Sequence, residues 1–103
     1  MILLGACGHP EAPVIHGAGA SFPFPIYFKW FGEYQRLYPQ ARINYQSIGS
    51  GGGLRQLAAG TVSFAGTDIP AANAQNWLHV PAVIGGVAVA YHLPSLSQPL
   101  RLR

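Results

Sequence analysis

The sequence predicts an α/β fold with an at least partly parallel sheet. Three observations carry that expectation. Residues 26–38 repeat apolar side chains at helical spacing. Short strand-like runs flank that stretch, and glycine-rich turns separate the elements. The resulting order is β-α-β-α-β, the pattern of alternating elements that builds layered α/β domains. The chain has 103 residues, enough for about one small domain, and half of them are hydrophobic. Only 9% are charged, against roughly 25% in an average soluble domain. Disorder is excluded as the main reading, since disordered chains are poor in apolar residues and rich in charge. The longest apolar stretch, 80–91, is interrupted by Gly85-Gly86 and falls short of the ~20 residues needed to span a bilayer.

Val14-Ile15-His16 is the first strand-like run, expected to stop at Gly17-Ala18-Gly19-Ala20-Ser21. After Phe22-Pro23-Phe24-Pro25, the residues Ile26, Tyr27, Trp30, Phe31, Tyr34, Leu37 and Tyr38 share one helical face. Pro25 suits the first turn and Pro39 closes the helix. Core packing is the ordinary role of such an aromatic stripe. Residues 42–48 read as a strand, alternating Ile43 and Tyr45 with Arg42, Asn44 and Gln46. Gly49-Ser50-Gly51-Gly52-Gly53 then leads to a short helix expected over 54–59, stopped by Gly60. A third strand is expected over 61–66, and 70–78 has the makings of a further helix. Rich in Val and Ala, 80–91 reads as one long buried strand or two joined at the glycine pair. The tail, 93–103, closes nothing. So small an open sheet would leave apolar faces uncovered, which argues for a chain that continues, with dimerisation as the alternative cover.

Six cations against three anions give a net charge of +3, but Lys29, Arg36, Arg42, Arg55, Arg101 and Arg103 are scattered. A nucleic-acid binder clusters its cations, so no nucleic-acid partner is expected. Weak attraction for anions is what this balance supports. A single cysteine, Cys7, excludes an internal disulfide, and four histidines without ligand spacing give no metal site. No cofactor is expected. Residues 1–13 form a segment of their own. Its Leu4-Gly5-Ala6-Cys7 looks like the lipobox of a bacterial lipoprotein signal, with Cys7 as the lipid-carrying residue and 8–13 as a tether. A positive n-region is missing and the apolar run is short, so a free cysteine near a frayed end is equally open.

Three loops have anion chemistry. The first two are glycine-rich, carry a serine and precede a helix: Gly17-Ala18-Gly19-Ala20-Ser21-Phe22 and Gly49-Ser50-Gly51-Gly52-Gly53. A helix N-terminus offers free N–H groups and partial positive charge, and a hydroxyl adds a further donor. Asp68 marks the third. An ionised carboxylate only accepts, so it favours an oxyanion that still carries a proton, such as phosphate, over sulfate, which carries none at neutral pH. Spacing alone leaves Asp68 open between that role and a helix N-cap or Asx-turn.

Taken together these stretches resemble the phosphate-binding proteins of bacterial ABC phosphate transporters, which are type II periplasmic binding proteins. The resemblance runs through Gly17-Ala18-Gly19-Ala20-Ser21-Phe22-Pro23, Tyr27, Lys29-Trp30 and Tyr34. It continues in Asn44-Tyr45-Gln46-Ser47-Ile48-Gly49-Ser50-Gly51-Gly52-Gly53, Gln56, Thr61-Val62, Phe64 and Thr67-Asp68. Val83-Ile84-Gly85-Gly86-Val87 and Leu93-Pro94 complete it. It implies that 14–103 is an incomplete N-terminal lobe with a mostly parallel sheet. It further implies a non-enzymatic, periplasmic or cell-surface receptor that captures inorganic phosphate for the permease subunits of an ABC importer. By resemblance Ser21 contributes its hydroxyl and N–H to phosphate, Phe22 its N–H, Ser50 its hydroxyl and N–H, and Asp68 the acceptor for the phosphate proton. Ser63 departs from the family, which often has an acidic residue there. A second lobe would supply an arginine and a Gly-Ser-Gly-Thr-like loop. Arg101 and Arg103 stand too early in family order to replace that arginine, so half a site is expected.

Two other readings compete. One is a truncated or decayed fragment with a stable fold and little affinity. The other is a Rossmann-like nucleotide-binding enzyme domain, suggested by Gly17-x-Gly19 after a strand, but position 22 is Phe where the third glycine belongs. Neither serine lies in a Gly-x-Ser-x-Gly elbow, which disfavours a hydrolase.

Overall fold

The computed structural model describes residues 12–72, 76–92 and 94–95. Five elements follow in the expected order: β1 (Val14–Gly19), α1 (Phe24–Leu37), β2 (Arg42–Ser47), α2 (Ser50–Ala58) and β3 (Phe64–Gly66). The strands form one parallel sheet in the order β2-β1-β3. The crossover through α1 runs from β1 to one neighbour, and that through α2 runs back past β1 to the other. Right-handed crossovers in opposite directions place their helices on opposite faces of the sheet.

The register shows what each face carries. Gly17 pairs with Tyr45 on β2 and with Phe64 on β3, so these three residues share a face. That face receives α1. The Tyr27 ring meets Tyr45 edge-on at 5.3 Å, and Phe31 meets Phe64 at 6.1 Å. Tyr45 and Phe64 stack on each other at 5.8 Å, directly over Gly17. A side chain at Gly17 would enter the Phe64 ring, which is why the central strand has none there. On the opposite face, α2 sits backbone to backbone on β1, its Gly53 against Ala18 O and Gly19 Cα. Ala18, Ala20, Tyr45 and Val62 form the buried apolar core.

Five expected elements are corrected. Rather than ending at His16, β1 runs through Gly19. Gly17 and Gly19 are poor strand formers alone. Their lack of side chains is nevertheless what lets a central strand pass beneath two stacked rings and beside the Gly66 backbone. α2 begins at Ser50, four residues early, and its first turn is Ser50-Gly51-Gly52-Gly53. The strand expected over 61–66 is limited to Phe64–Gly66. The fourth concerns 80–91, where no strand forms, and Ile84 and Val87 are fully exposed. A continuous apolar run makes a strand only where a neighbouring strand accepts its ladder, and none of the described residues 76–92 joins the sheet. No helix forms among the described residues of 70–78. Cys7, Arg101 and Arg103 lie outside the described residues.

Candidate functional site at the carboxyl edge of the sheet

In a parallel sheet every strand points the same way, so the loops that follow the strands emerge along one edge. In doubly wound folds that edge, at the point where the strand order reverses, is where ligands sit. Here it gathers Ser21 and Phe22 after β1, Ser50 after β2 and Asp68 after β3.

Main-chain bonds fasten the three loops together. Ala20 N–H donates to Gly66 O at 2.9 Å, and Ile48 N–H to Gly19 O at 3.0 Å. Gly49 turns the chain into α2 with φ +81°, left-handed backbone that glycine adopts at little cost. Ser50 is thereby placed on the first turn of α2 and brought to Asp68. Its hydroxyl donates to Asp68 Oδ2 at 3.1 Å, and Asp68 N–H donates back to Ser50 Oγ at 3.2 Å. Asp68 is neither helix cap nor Asx-turn, because no helix starts in the described residues 69–72 that follow it and the local turn is made by Thr67. The Thr67 hydroxyl donates to Ile69 O at 2.6 Å and accepts from Ile69 N–H at 3.4 Å.

Donors remain uncommitted at this edge. No side chain caps α1 or α2. Among the described residues, no acceptor pairs with the N–H groups of Ser21, Phe22, Ser50, Gly51 or Gly52. The first turn of any helix leaves such groups without intrahelical partners. Ser21 and Phe22 are exposed, and Phe22 presents its ring to the later segment, where a Cβ on Gly85 would enter it. Of the four expected site residues, Ser50 and Asp68 are in direct contact, whereas Ser21 and Phe22 share the edge without touching either through a hydrogen bond.

Tyr45 received no site role from the sequence. It is 8% exposed and lies beneath this edge, and its hydroxyl donates to Ala20 O at 2.8 Å. Burial, with smaller contributions from Tyr27 and from the Asp68 carboxylate, pushes the Tyr45 hydroxyl up to about 12. Burial also raises that of Tyr27. The sequence signal was available in part: a tyrosine in register with a glycine on the neighbouring strand has room to extend across it. A separate open groove of about 640 Å³ is lined by His16, Gln46, Arg55, Gln56 and Thr61 among others, and none of the four site residues borders it.

The glycines of Gly17-x-Gly19 lie inside β1 and not in the turn that follows, so they are not placed as a dinucleotide fingerprint requires. A parallel, doubly wound sheet of this order is the architecture of part of one lobe of a type II periplasmic binding protein. A family model, the PBP superfamily domain, matches residues 8–102, and the chain belongs to that family. Among its relatives, the phosphate-binding protein PstS of Haemophilus influenzae is 43% identical over 101 residues, which cover 94% of this chain and 30% of that protein. The phosphate-binding protein PstS of Pasteurella multocida is 45% identical over 91 residues, 84% of this chain and 26% of that protein. That of Methanocaldococcus jannaschii is 31% identical over 98 residues, 85% of this chain and 25% of that protein. The chain thus spans less than a third of the length of these relatives.

Proposed function

We propose that the chain supplies one half of the oxyanion site of an extracytoplasmic receptor that captures inorganic phosphate, without catalysis, for the permease subunits of an ABC importer. Ser21, Phe22, Ser50 and Asp68 are its ligands, and a facing lobe completes the enclosure. The observation that carries this reading is the meeting of a carboxylate with uncommitted N–H and hydroxyl donors at one sheet edge. The names of the relatives support it. Donors alone would accept any tetrahedral anion. Asp68, which can only accept, restricts the site to an anion that brings its own proton. Ser50 links both functions, because its hydroxyl already donates to Asp68 while its N–H remains available. In the same reading Cys7 carries lipid, residues 8–13 are a tether, and one acyl chain alone would hold only marginally.

The test is a chimaera in which residues 14–95 replace the matching stretch of the Haemophilus influenzae relative. Titration calorimetry is expected to show phosphate bound and sulfate rejected. Asp68→Asn replaces one acceptor oxygen by a donor and is expected to lower phosphate affinity and admit sulfate. Unchanged discrimination in Asp68→Asn overturns the role given to Asp68, and a chimaera blind to phosphate overturns the reading. The 103-residue chain alone is expected to bind phosphate weakly. Micromolar affinity in the chain alone would refute the half-site.

A further inference from the structure

The peptide unit joining Ala20 to Ser21 is held from below. All described peptide bonds are trans, so the Ser21 N–H points opposite to the Ala20 C=O. That carbonyl accepts from the Tyr45 hydroxyl at 2.8 Å, and the preceding N–H of Ala20 is tied to Gly66 O at 2.9 Å. We infer that Tyr45 is a positioning residue: its hydroxyl sets the plane of the Ala20–Ser21 peptide and so turns the Ser21 N–H away from the aromatic cluster, toward the open carboxyl edge. The ring is fixed for this task by Phe24 at 6.3 Å, Tyr27 at 5.3 Å and Phe64 at 5.8 Å. Gly66 leaves room for the hydroxyl, since a Cβ there would collide with it. Hydrogen bonding at the carbonyl also polarises the peptide and strengthens its N–H as a donor. Tyr45 touches no ligand and acts only through Ser21. Its contribution to anion capture rests on the phosphate reading, whereas its hold on the peptide does not.

The experiment separates those two parts in the ¹⁵N-labelled 103-residue chain. Residual dipolar couplings report the direction of the Ser21 N–H. Tyr45→Phe keeps the ring and removes the donor, and it is expected to change the Ser21 coupling while those of β2 and α2 persist. Gly66→Ala, which displaces the hydroxyl and keeps the ring chemistry, is expected to move the same coupling. Tyr27→Phe removes a hydroxyl from the same cluster without reaching Ala20, and is expected to leave it unchanged. Inorganic phosphate is then titrated against each form. The midpoint for the Ser21 amide is expected to rise about fivefold in Tyr45→Phe and to stay put in Tyr27→Phe, the range of one neutral hydrogen bond. A Ser21 coupling identical in wild type, Tyr45→Phe and Gly66→Ala overturns the inference whether or not phosphate binds. If wild-type amides ignore phosphate while Tyr45→Phe still reorients Ser21, the positioning role stands, and the phosphate reading is decided by the chimaera.

Discussion

The two helices dock on the same sheet by opposite means. α1 meets it through rings, with Tyr27 and Phe31 against Tyr45 and Phe64 at 5.3 and 6.1 Å. α2 meets it through the absence of side chains, with Gly53 on the β1 backbone. Rings settle into several tilted arrangements at similar cost. Two backbones in contact have no such freedom, since nothing between them can rotate out of the way. The difference matches what each helix does. α1 supplies bulk and shelters Tyr45, whereas α2 must bring Ser50 to Asp68 within hydrogen-bond distance, and close approach fixes that placement.

The largest effect is expected where the glycine contact is broken. Gly53→Ala sets a methyl group into Ala18 O and Gly19 Cα and forces α2 off the sheet, at a cost of about 3 kcal/mol. Chemical denaturation should show it, and a loss below that of a ring truncation would dissolve the contrast. On the other face, Phe31→Ala removes a half-buried ring and is expected to cost about 2 kcal/mol, below the range for fully buried aromatics.

Alkali is expected to attack the aromatic face alone. The folded-state pKa of Tyr45 is raised to about 12 from an ordinary value near 10. A raised folded pKa means stability fully present below pH 10 and lost as pH climbs through about 12, because the unfolded chain releases the proton more readily. Thermal melts between pH 9 and 12 should fall in the wild type and fall less in Tyr45→Phe; equal slopes would remove Tyr45 as the cause.

The smallest effect has the opposite sign. Gly32 lies in α1 with nothing near its missing Cβ. Gly32→Ala is therefore expected to stabilise by about 0.5–1 kcal/mol, through helix propensity and a less flexible unfolded chain. The same substitution would then be favourable on one helix and ruinous on the other.

The same contrast explains which parts of the fold were legible in the sequence. α1 was visible because of its apolar spacing, and its proline boundaries held. Of the stripe expected in the core, only Tyr27 and Phe31 are half-buried. Ile26, Trp30, Tyr34, Leu37 and Tyr38 are exposed, because no further element among the described residues covers that side. β1 and α2 were cut short because Gly17, Gly19 and Gly51-Gly52-Gly53 disfavour strand and helix locally. Tertiary contact reverses that preference, since only glycine fits under the Tyr45–Phe64 stack or against the β1 backbone. Residues 80–91 mislead in the other direction. Their Val-rich pattern is suited to a sheet, yet a ladder needs a neighbour, and no rule of periodicity states which neighbour. At the candidate site, the three loops that share the sheet edge are legible from glycine, serine and acid chemistry. The Ser50–Asp68 contact and the Tyr45 bond lie 18 and 25 residues apart in sequence and depend on register that only the folded sheet supplies.

The donors left open at the carboxyl edge belong mostly to the main chain. A main-chain donor is indifferent to the side chain attached beside it, so position 22 is free to drift among nineteen amino acids and keeps its N–H in all but proline. Evolutionary pressure on such a loop falls on the path of the backbone, that is, on the glycines and the tyrosine that shape it. At such an edge the residue that fixes a main-chain donor's direction lies one layer beneath it, as Tyr45 does under Ala20.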